Sequence, residues 1–187
     1  MKVYIVRHGQ ILSNVLKKHT NPFEDLTELG IKQAKELSKI IKNINFDIIY
    51  VSPYLRAMHT AEILNTNNKK MIIDERLRER NCGKLSGEPV EDDIYRMDYW
   101  NYFSIKDHGN AENIKDFFER VFSFLEELKS KNYDKVLIVA HSGVSKAFYG
   151  YFNGIPEDGN FFDLGLKNCE IRQYILWNGG IKWKFTL

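Results

Sequence analysis

Arg7, His8, Arg56 and His141 make a set of two guanidiniums and two imidazoles with no carboxylate among them. That set suits a phosphoryl group, whose transition state spreads negative charge over three equatorial oxygens. Arginine offers planar, bidentate donors that match those oxygens. A neutral imidazole can attack phosphorus and hold it covalently, which splits one hard displacement into two easier ones. An imidazole can equally be a base, a metal ligand or a packed side chain, and residue type alone leaves those roles open. A covalent route also needs a proton donor for the leaving alkoxide. Glu79, in Leu77-Arg78-Glu79-Arg80, is the candidate, with Glu75 behind it. A helix starting after His141-Ser142-Gly143 would aim backbone N–H groups at the same anion.

These residues stand where strands should end. Val3-Tyr4-Ile5-Val6 reads as a buried strand and runs into Arg7-His8-Gly9. Lys135–Ala140 is the best strand of the chain and runs into His141. Asp47–Val51 is a third, and Arg56 follows it by one turn of a helix. In a parallel sheet such ends share one edge, where open α/β folds bind ligands. Ser52-Pro53 is expected to open the Arg56 helix, with proline in its first turn. Thr27 is the expected N-cap of a helix whose apolar face is Ile31, Ala34, Leu37, Ile41 and Ile44. Ile114 to Leu128 carries the clearest amphipathic pattern, and a further helix follows His141 to about Phe152. Met71–Ile73 is a short strand, and 74–110 reads as irregular. Cys169–Trp177 and Ile181–Phe185 flank Asn178-Gly179-Gly180, a hairpin signal. Alternating strands and helices predict an α/β class, with a largely parallel sheet and an antiparallel end.

The composition is that of a soluble globular chain: 187 residues, 43% hydrophobic and 28% charged. Its length and even composition predict a single domain over residues 1–187. A net charge of +2, from 27 basic and 25 acidic residues, argues against a nucleic-acid partner but allows a local anion site. Cys82 and Cys169 show no CxxC spacing, which suits a reduced, cytoplasmic setting. No signal-peptide pattern or run long enough for a membrane span is visible, so no membrane association is expected. No Gly-x-Gly-x-x-Gly follows the first strand, which argues against a nucleotide-binding oxidoreductase.

The motifs together resemble those of the histidine phosphatase superfamily, in its phosphoglycerate mutase-like branch. They are Arg7-His8-Gly9 with Asn14; Leu26-Thr27-Glu28-Leu29-Gly30-Ile31-Lys32-Gln33-Ala34; Ser52 through Arg56-Ala57 to Thr60-Ala61; Leu77 and Glu79 with Gly83 and Gly87; and Val139-Ala140-His141-Ser142-Gly143. They lie in family order and span about residues 2–150. The resemblance implies a three-layer sandwich, a mostly parallel central sheet with helices on both faces. It implies that His8 becomes the phosphohistidine, that Arg7, Arg56 and His141 bind the phosphoryl oxygens, and that Asn14 hydrogen-bonds the same group. Glu79 would donate and accept the proton, and neither a metal nor another cofactor is implied. Ser142, Arg80 and Trp100 are further candidates for binding phosphate or substrate. The sequence departs from the family at Ile11, where threonine is usual, at Leu85 and Ser86, and at Ala111-Glu112-Asn113.

The expected activity is hydrolysis of a small phosphorylated metabolite. A mutase-type phosphotransferase is the alternative within the fold, and Arg80 beside Glu79 is the point in its favour. An alternative of another class is a non-catalytic module that binds phosphorylated ligands; retention of both His8 and Glu79 argues against it. In this family the segment after the acid tends to cap the site, here about residues 87–110. It is rich in aromatics and holds Glu88, Glu91, Asp92, Asp93, Asp98 and Asp107 against Arg96 and Lys106. Such a segment is expected to disfavour a second strong anion on the substrate. His19, His59 and His108 are expected to stand outside the chemistry, as is Cys82.

Overall fold

The computed structural model describes residues 1–90 and 93–177. Five strands form one sheet: β1 (Lys2–Arg7), β2 (Ile48–Val51), β3 (Met71–Ile73), β4 (Lys135–Ala140) and β5 (Ile171–Ile175). Their order across the sheet is β3-β2-β4-β1-β5. All pairings are parallel except that of β1 with β5. The helices are α1 (Leu12–Leu16), α2 (Glu28–Ile41), α3 (Leu55–Leu64), α4 (Asp93–Tyr99), α5 (Ile114–Lys129) and α6 (Ser142–Asn153).

Alternation along the strands splits the core into two layers. Val3, Ile5, Ile48, Tyr50, Val136 and Ile138 pack with Phe117, Val121, Phe124, Leu125 and Phe148 from α5 and α6. Tyr4, Val6, Ile49, Val51, Leu137 and Val139 pack with Leu37, Ile41, Ala57 and Ala61 from α2 and α3. Both faces of the sheet are therefore covered, as apolar strands without polar alternation require. Thr27 caps α2 by accepting from the Gly30 N–H at 3.1 Å, and Asn113 caps α5 by accepting from Lys115 N–H at 2.8 Å.

Two expectations change. Pro53 does not enter α3; Tyr54 is its N-cap, because Ser52 still pairs with β4 through Val139 O at 3.0 Å and Pro53 bridges the gap. The stretch after β3 contains two single 3₁₀ turns, Glu75–Leu77 and Gly83–Leu85, and the helix α4. Residues 87–90 are tied to the loop after α1 by His19 N–Glu88 O, Gly87 N–His19 O and Val90 N–Lys17 O bonds of 2.8–2.9 Å. Glu91, Asp92 and the second half of the expected hairpin lie outside the described residues. Among those described, no helix is long and apolar enough to cross a membrane.

Candidate active site

The C-terminal ends of β1, β4 and β2 lie side by side. The ladder continues one residue past each strand: His8 N bonds Ala140 O at 3.0 Å, and Ser52 N bonds Val139 O at 3.0 Å. His8, His141 and Ser52 are thus set by sheet register rather than by loops. Gly9 N then bonds Thr60 Oγ1 at 3.1 Å, and a Cβ on Gly9 would stand 2.5 Å from Gly30 O. Only glycine lets the chain turn this close to the first turn of α2.

The His8 ring is fixed on both nitrogens. Nδ1 lies 2.7 Å from Gly9 O, an acceptor only, so Nδ1 carries the hydrogen. Nε2 therefore holds the lone pair, and Arg56 Nε donates to it at 3.2 Å. Burial, then the Arg56 and Arg7 charges, push the His8 pKa well below its ordinary 6.5. At neutral pH His8 is an uncharged imidazole with a directed lone pair, which is the form that attacks phosphorus.

Arg56 is fully buried, in the first turn of α3. Its NH1 donates to Asn21 O at 2.6 Å and its NH2 to Thr20 Oγ1 at 3.4 Å. Arg7 donates from NH1 to Leu166 O at 3.0 Å. Among the described residues neither arginine has a carboxylate in ion-pair contact, and burial lowers both pKa values. His141, also held neutral by burial and by Arg56, has Nε2 2.7 Å from Ser52 Oγ. Ser52 Oγ also accepts from Tyr54 N at 3.3 Å, and its own hydrogen is available to His141 Nε2, the arrangement that leaves Nδ1 as an N–H. That Nδ1, and Arg7 Nε, are buried without a protein partner. Two orphaned donors among buried cations ask for an acceptor with negative charge.

The Glu79 carboxyl sits on the other side. Oε1 accepts from its neighbour Arg80 N at 2.9 Å, and Oε2 accepts from Gly143 N, in the first turn of α6, at 3.0 Å. A Cβ on Gly143 would stand 2.1 Å from Glu79 Oε1 and 2.6 Å from the edge of the Trp100 ring. Glycine is what lets the acid and the indole meet over that helix. Asn14 Oδ1 accepts from Ile11 N at 3.3 Å and from Asn168 Nδ2 at 3.1 Å. The Ile11 N–H settles which end of the amide is oxygen, so the Asn14 NH₂ is the half left for a ligand.

A pocket of about 220 Å³ opens from Arg7, Glu79 and Ser142. It is smaller than the ~300 Å³ at the low end of drug-sized sites and suits a small metabolite. Its wall holds Lys18, Arg80, Arg96 and Lys146, with Tyr95, Tyr99, Trp100 and Phe162, and among the residues whose side chains are described Glu79 is its single acid. Among the described residues no cluster of histidine, cysteine and carboxylate side chains is arranged to hold a metal ion.

The family model of the histidine phosphatase superfamily (branch 1) matches residues 3–186. The chain belongs to that superfamily. A protein of Hydrogenobacter thermophilus, provisionally named phosphoserine phosphatase 2, is 33% identical over 179 residues, 92% of this chain and 88% of its own length. A protein of Yersinia pestis named probable phosphoglycerate mutase GpmB is 27% identical over 91% of this chain and 83% of its own. The crystal structure of a mutant phosphoserine phosphatase from Entamoeba histolytica, in complex with phosphoserine, superposes with a TM-score of 0.80 at 26% identity. It covers 99% of this chain and 95% of that one.

Within this histidine phosphatase, the structure brings together Arg7, His8, Arg56, His141 and Glu79, with Asn14, Ser142, Arg80 and Trp100 around them. Arg80 lines the pocket, but two of its donors are committed, Nε to Glu112 O at 2.7 Å and NH1 to Tyr99 O, and its guanidinium lies 4.0 Å from the Tyr99 ring centroid. These contacts hold it against the aromatic wall, with NH2 outside both bonds. Ile11 is fully buried in a bridge to Leu26, so the residue that replaces threonine serves packing. Cys82 is buried with its thiol donating to Thr20 O at 3.4 Å, and burial raises its pKa. His59 pairs with Asp25 at 2.8 Å away from the site, and His108 sits behind it near Asp98.

Of the acids expected to line the wall, the three whose side chains are described, Glu88, Asp98 and Asp107, do not; Glu91, Asp92 and Asp93 lie outside the described side chains. Asp98 faces Lys106 and His108, and Asp107 caps Asn110 N at 2.7 Å. His19, set aside on sequence, does line it. Lys146 and Asn168 were also missed. Lys146 had a signal, since four residues after Ser142 is the same helix face. Asn168 had none: it reaches the site from a loop 160 residues away from His8.

Proposed function

We propose that this protein hydrolyses a small phosphomonoester through a phosphohistidine on His8. The observation that supports it most is the His8 tautomer: Nδ1–H tied to Gly9 O leaves the Nε2 lone pair among buried, unpaired cations. Arg7, Arg56, His141 Nδ1 and the Asn14 amide hold the phosphoryl oxygens. Nε2 attacks phosphorus, the N–P bond forms and the P–O bond to the alcohol breaks. The Glu79 carboxyl gives its proton to the leaving oxygen. Water then attacks phosphorus and passes a proton to Glu79, the N–P bond breaks, and phosphate leaves. Neither step calls for a metal or another cofactor. The segment at about 87–110 forms the leaving-group side of the site.

The names of the relatives favour substrates of the size of phosphoserine or phosphoglycerate. Hydrolysis is preferred over mutase transfer because Arg80, the sequence feature favouring a mutase, is committed to backbone carbonyls. The deciding experiment is a panel of small phosphomonoesters read by free phosphate, with and without a chelator, beside 3-phosphoglycerate isomerisation. Phosphate release that survives the chelator is expected. Isomerisation without release would replace hydrolysis by transfer, and silence in both assays would leave only binding.

A further inference from the structure

Lys146 is 3% exposed, yet it lines the pocket that Arg7 and Glu79 share. An ammonium has three N–H donors. Two of them go to Phe161 O, at 2.5 Å, and Phe162 O. These carbonyls fix Nζ 5.0 Å from the centroid of the Trp100 ring, the same indole that meets Glu79 over Gly143. A Cβ on Gly165 would stand 2.4 Å from Ser142 Oγ and 3.1 Å from Lys146 Cε, so glycine keeps this corner open. The phosphoryl end is already supplied with donors by Arg7, Arg56 and His141, and the alcohol leaves toward Glu79. A cation that lines the pocket with Glu79, where His8 does not, is therefore placed for the alcohol, not for the phosphate. A buried ammonium left with one unmet donor is held at a penalty that a second anion on the substrate removes.

We propose that Lys146 is the specificity-determining residue for the leaving group, and that it selects phosphomonoesters whose alcohol carries a carboxylate. The inference rests on the hydrolytic reading above. Arg96, whose guanidinium lies 4.5 Å from the Phe162 ring centroid, lines the same wall. Burial lowers the Lys146 pKa to about 7, against the raising effect of Glu79 and Asp163, with Arg7 and Arg96 lowering it further. A bound carboxylate would favour the charged form.

Phosphoserine and phosphoethanolamine test this directly, since they differ by the carboxylate alone. A charge-assisted hydrogen bond predicts that kcat/KM for phosphoserine exceeds that for phosphoethanolamine by roughly tenfold to a hundredfold. In Lys146→Met the preference should collapse, because KM for phosphoserine rises by far more than KM for phosphoethanolamine. Lys146→Arg should restore it in part. The wild-type ratio also decides without any variant. It should fall as pH rises past about 7, because phosphate and amine titrate alike in both esters and the ratio isolates Lys146. Equal turnover of the two esters, or a Lys146→Met loss shared equally by both, overturns the proposal. p-Nitrophenyl phosphate separates the failures: if it too releases no phosphate, the hydrolytic reading falls and this one with it.

Discussion

The proposed site has two parts, a phosphoryl end at the sheet edge and a leaving-group end in the adjoining pocket, and they are built in different ways. At the phosphoryl end, His8, His141 and Ser52 are fixed by the register of three adjoining strands, and Arg56 by the first turn of a buried helix. Those groups are enclosed and already paired in the empty protein, except for the donors an anion would fill. At the leaving-group end, the wall comes from α4, the loops around it and the far side of α6. Arg80 and Lys146 there are held by carbonyls and aromatic rings. The difference shows where each property is encoded. Charge stabilisation requires donors that do not reorganise during the reaction, and a sheet edge supplies them. Selection of the alcohol requires only that a few contacts differ between substrates.

The comparison breaks first at His8. His8→Ala should abolish turnover of every ester, a loss of at least about 10⁴-fold by phosphate release; near-normal release would remove the nucleophile from the phosphoryl end. Glu79→Gln should cut turnover of alkyl phosphates by about 10² to 10⁴-fold. It should cost much less with p-nitrophenyl phosphate, whose leaving group departs without a proton. Equal losses on both would mean that Glu79 serves the phosphoryl end instead.

Arg56→Met should lower kcat/KM by roughly 10² to 10³-fold, as expected for removing a donor to developing charge. Because the empty protein buries Arg56 without a carboxylate partner, the ligand-free melting temperature should change far less than the activity. Inorganic phosphate at a hundred times its Kd should raise the wild-type melting temperature by about 5–10 °C, and that increment should vanish in the variant. Asn168→Ala removes one bond to Asn14 and one to His8 O, so it should reduce kcat/KM by about two- to tenfold on all substrates alike. A substrate-dependent loss would move Asn168 to the other end.

The smallest effect concerns pH. His8 and His141 have pKa values below their unfolded 6.5, so below about that pH the unfolded chain binds more protons than the folded one. Folding stability should therefore fall as pH drops from 6.5 toward the folded values. Urea midpoints across that range check it, and His141→Gln should flatten the slope.

The phosphoryl end was legible in the sequence because strand periodicity and strand-end chemistry coincide. Val3–Val6 and Lys135–Ala140 announce two neighbours, and the residues following them are the ones proposed to react. Asn14 and Glu79 needed the resemblance as well, since nothing in a charge-rich run separates Glu79 from Glu75. Glu88, Asp98 and Asp107 were misplaced on the leaving-group wall because a charge count along residues 87–110 does not say which way each side chain turns. Asp98 turns toward Lys106 and His108, while Lys146 reaches the wall from a different element. Pro53 was misplaced by two residues because the sheet ladder extends through Ser52, a tertiary hydrogen bond that local propensity does not register.

The pairing of β1 has a consequence for synthesis. β1 is made first, but its two edges are β4 and β5, and His8 O waits for the Asn168 amide. At about 5–20 residues per second, a ribosome takes roughly 10–30 s to cover the 160 residues between those two side chains. Until then the first strand has exposed hydrogen-bonding edges and apolar faces on both sides. The nascent chain therefore carries His8 early but completes the bonding around it only once Asn168 has been made, and the interval in between is when the strand most needs protection from aggregation.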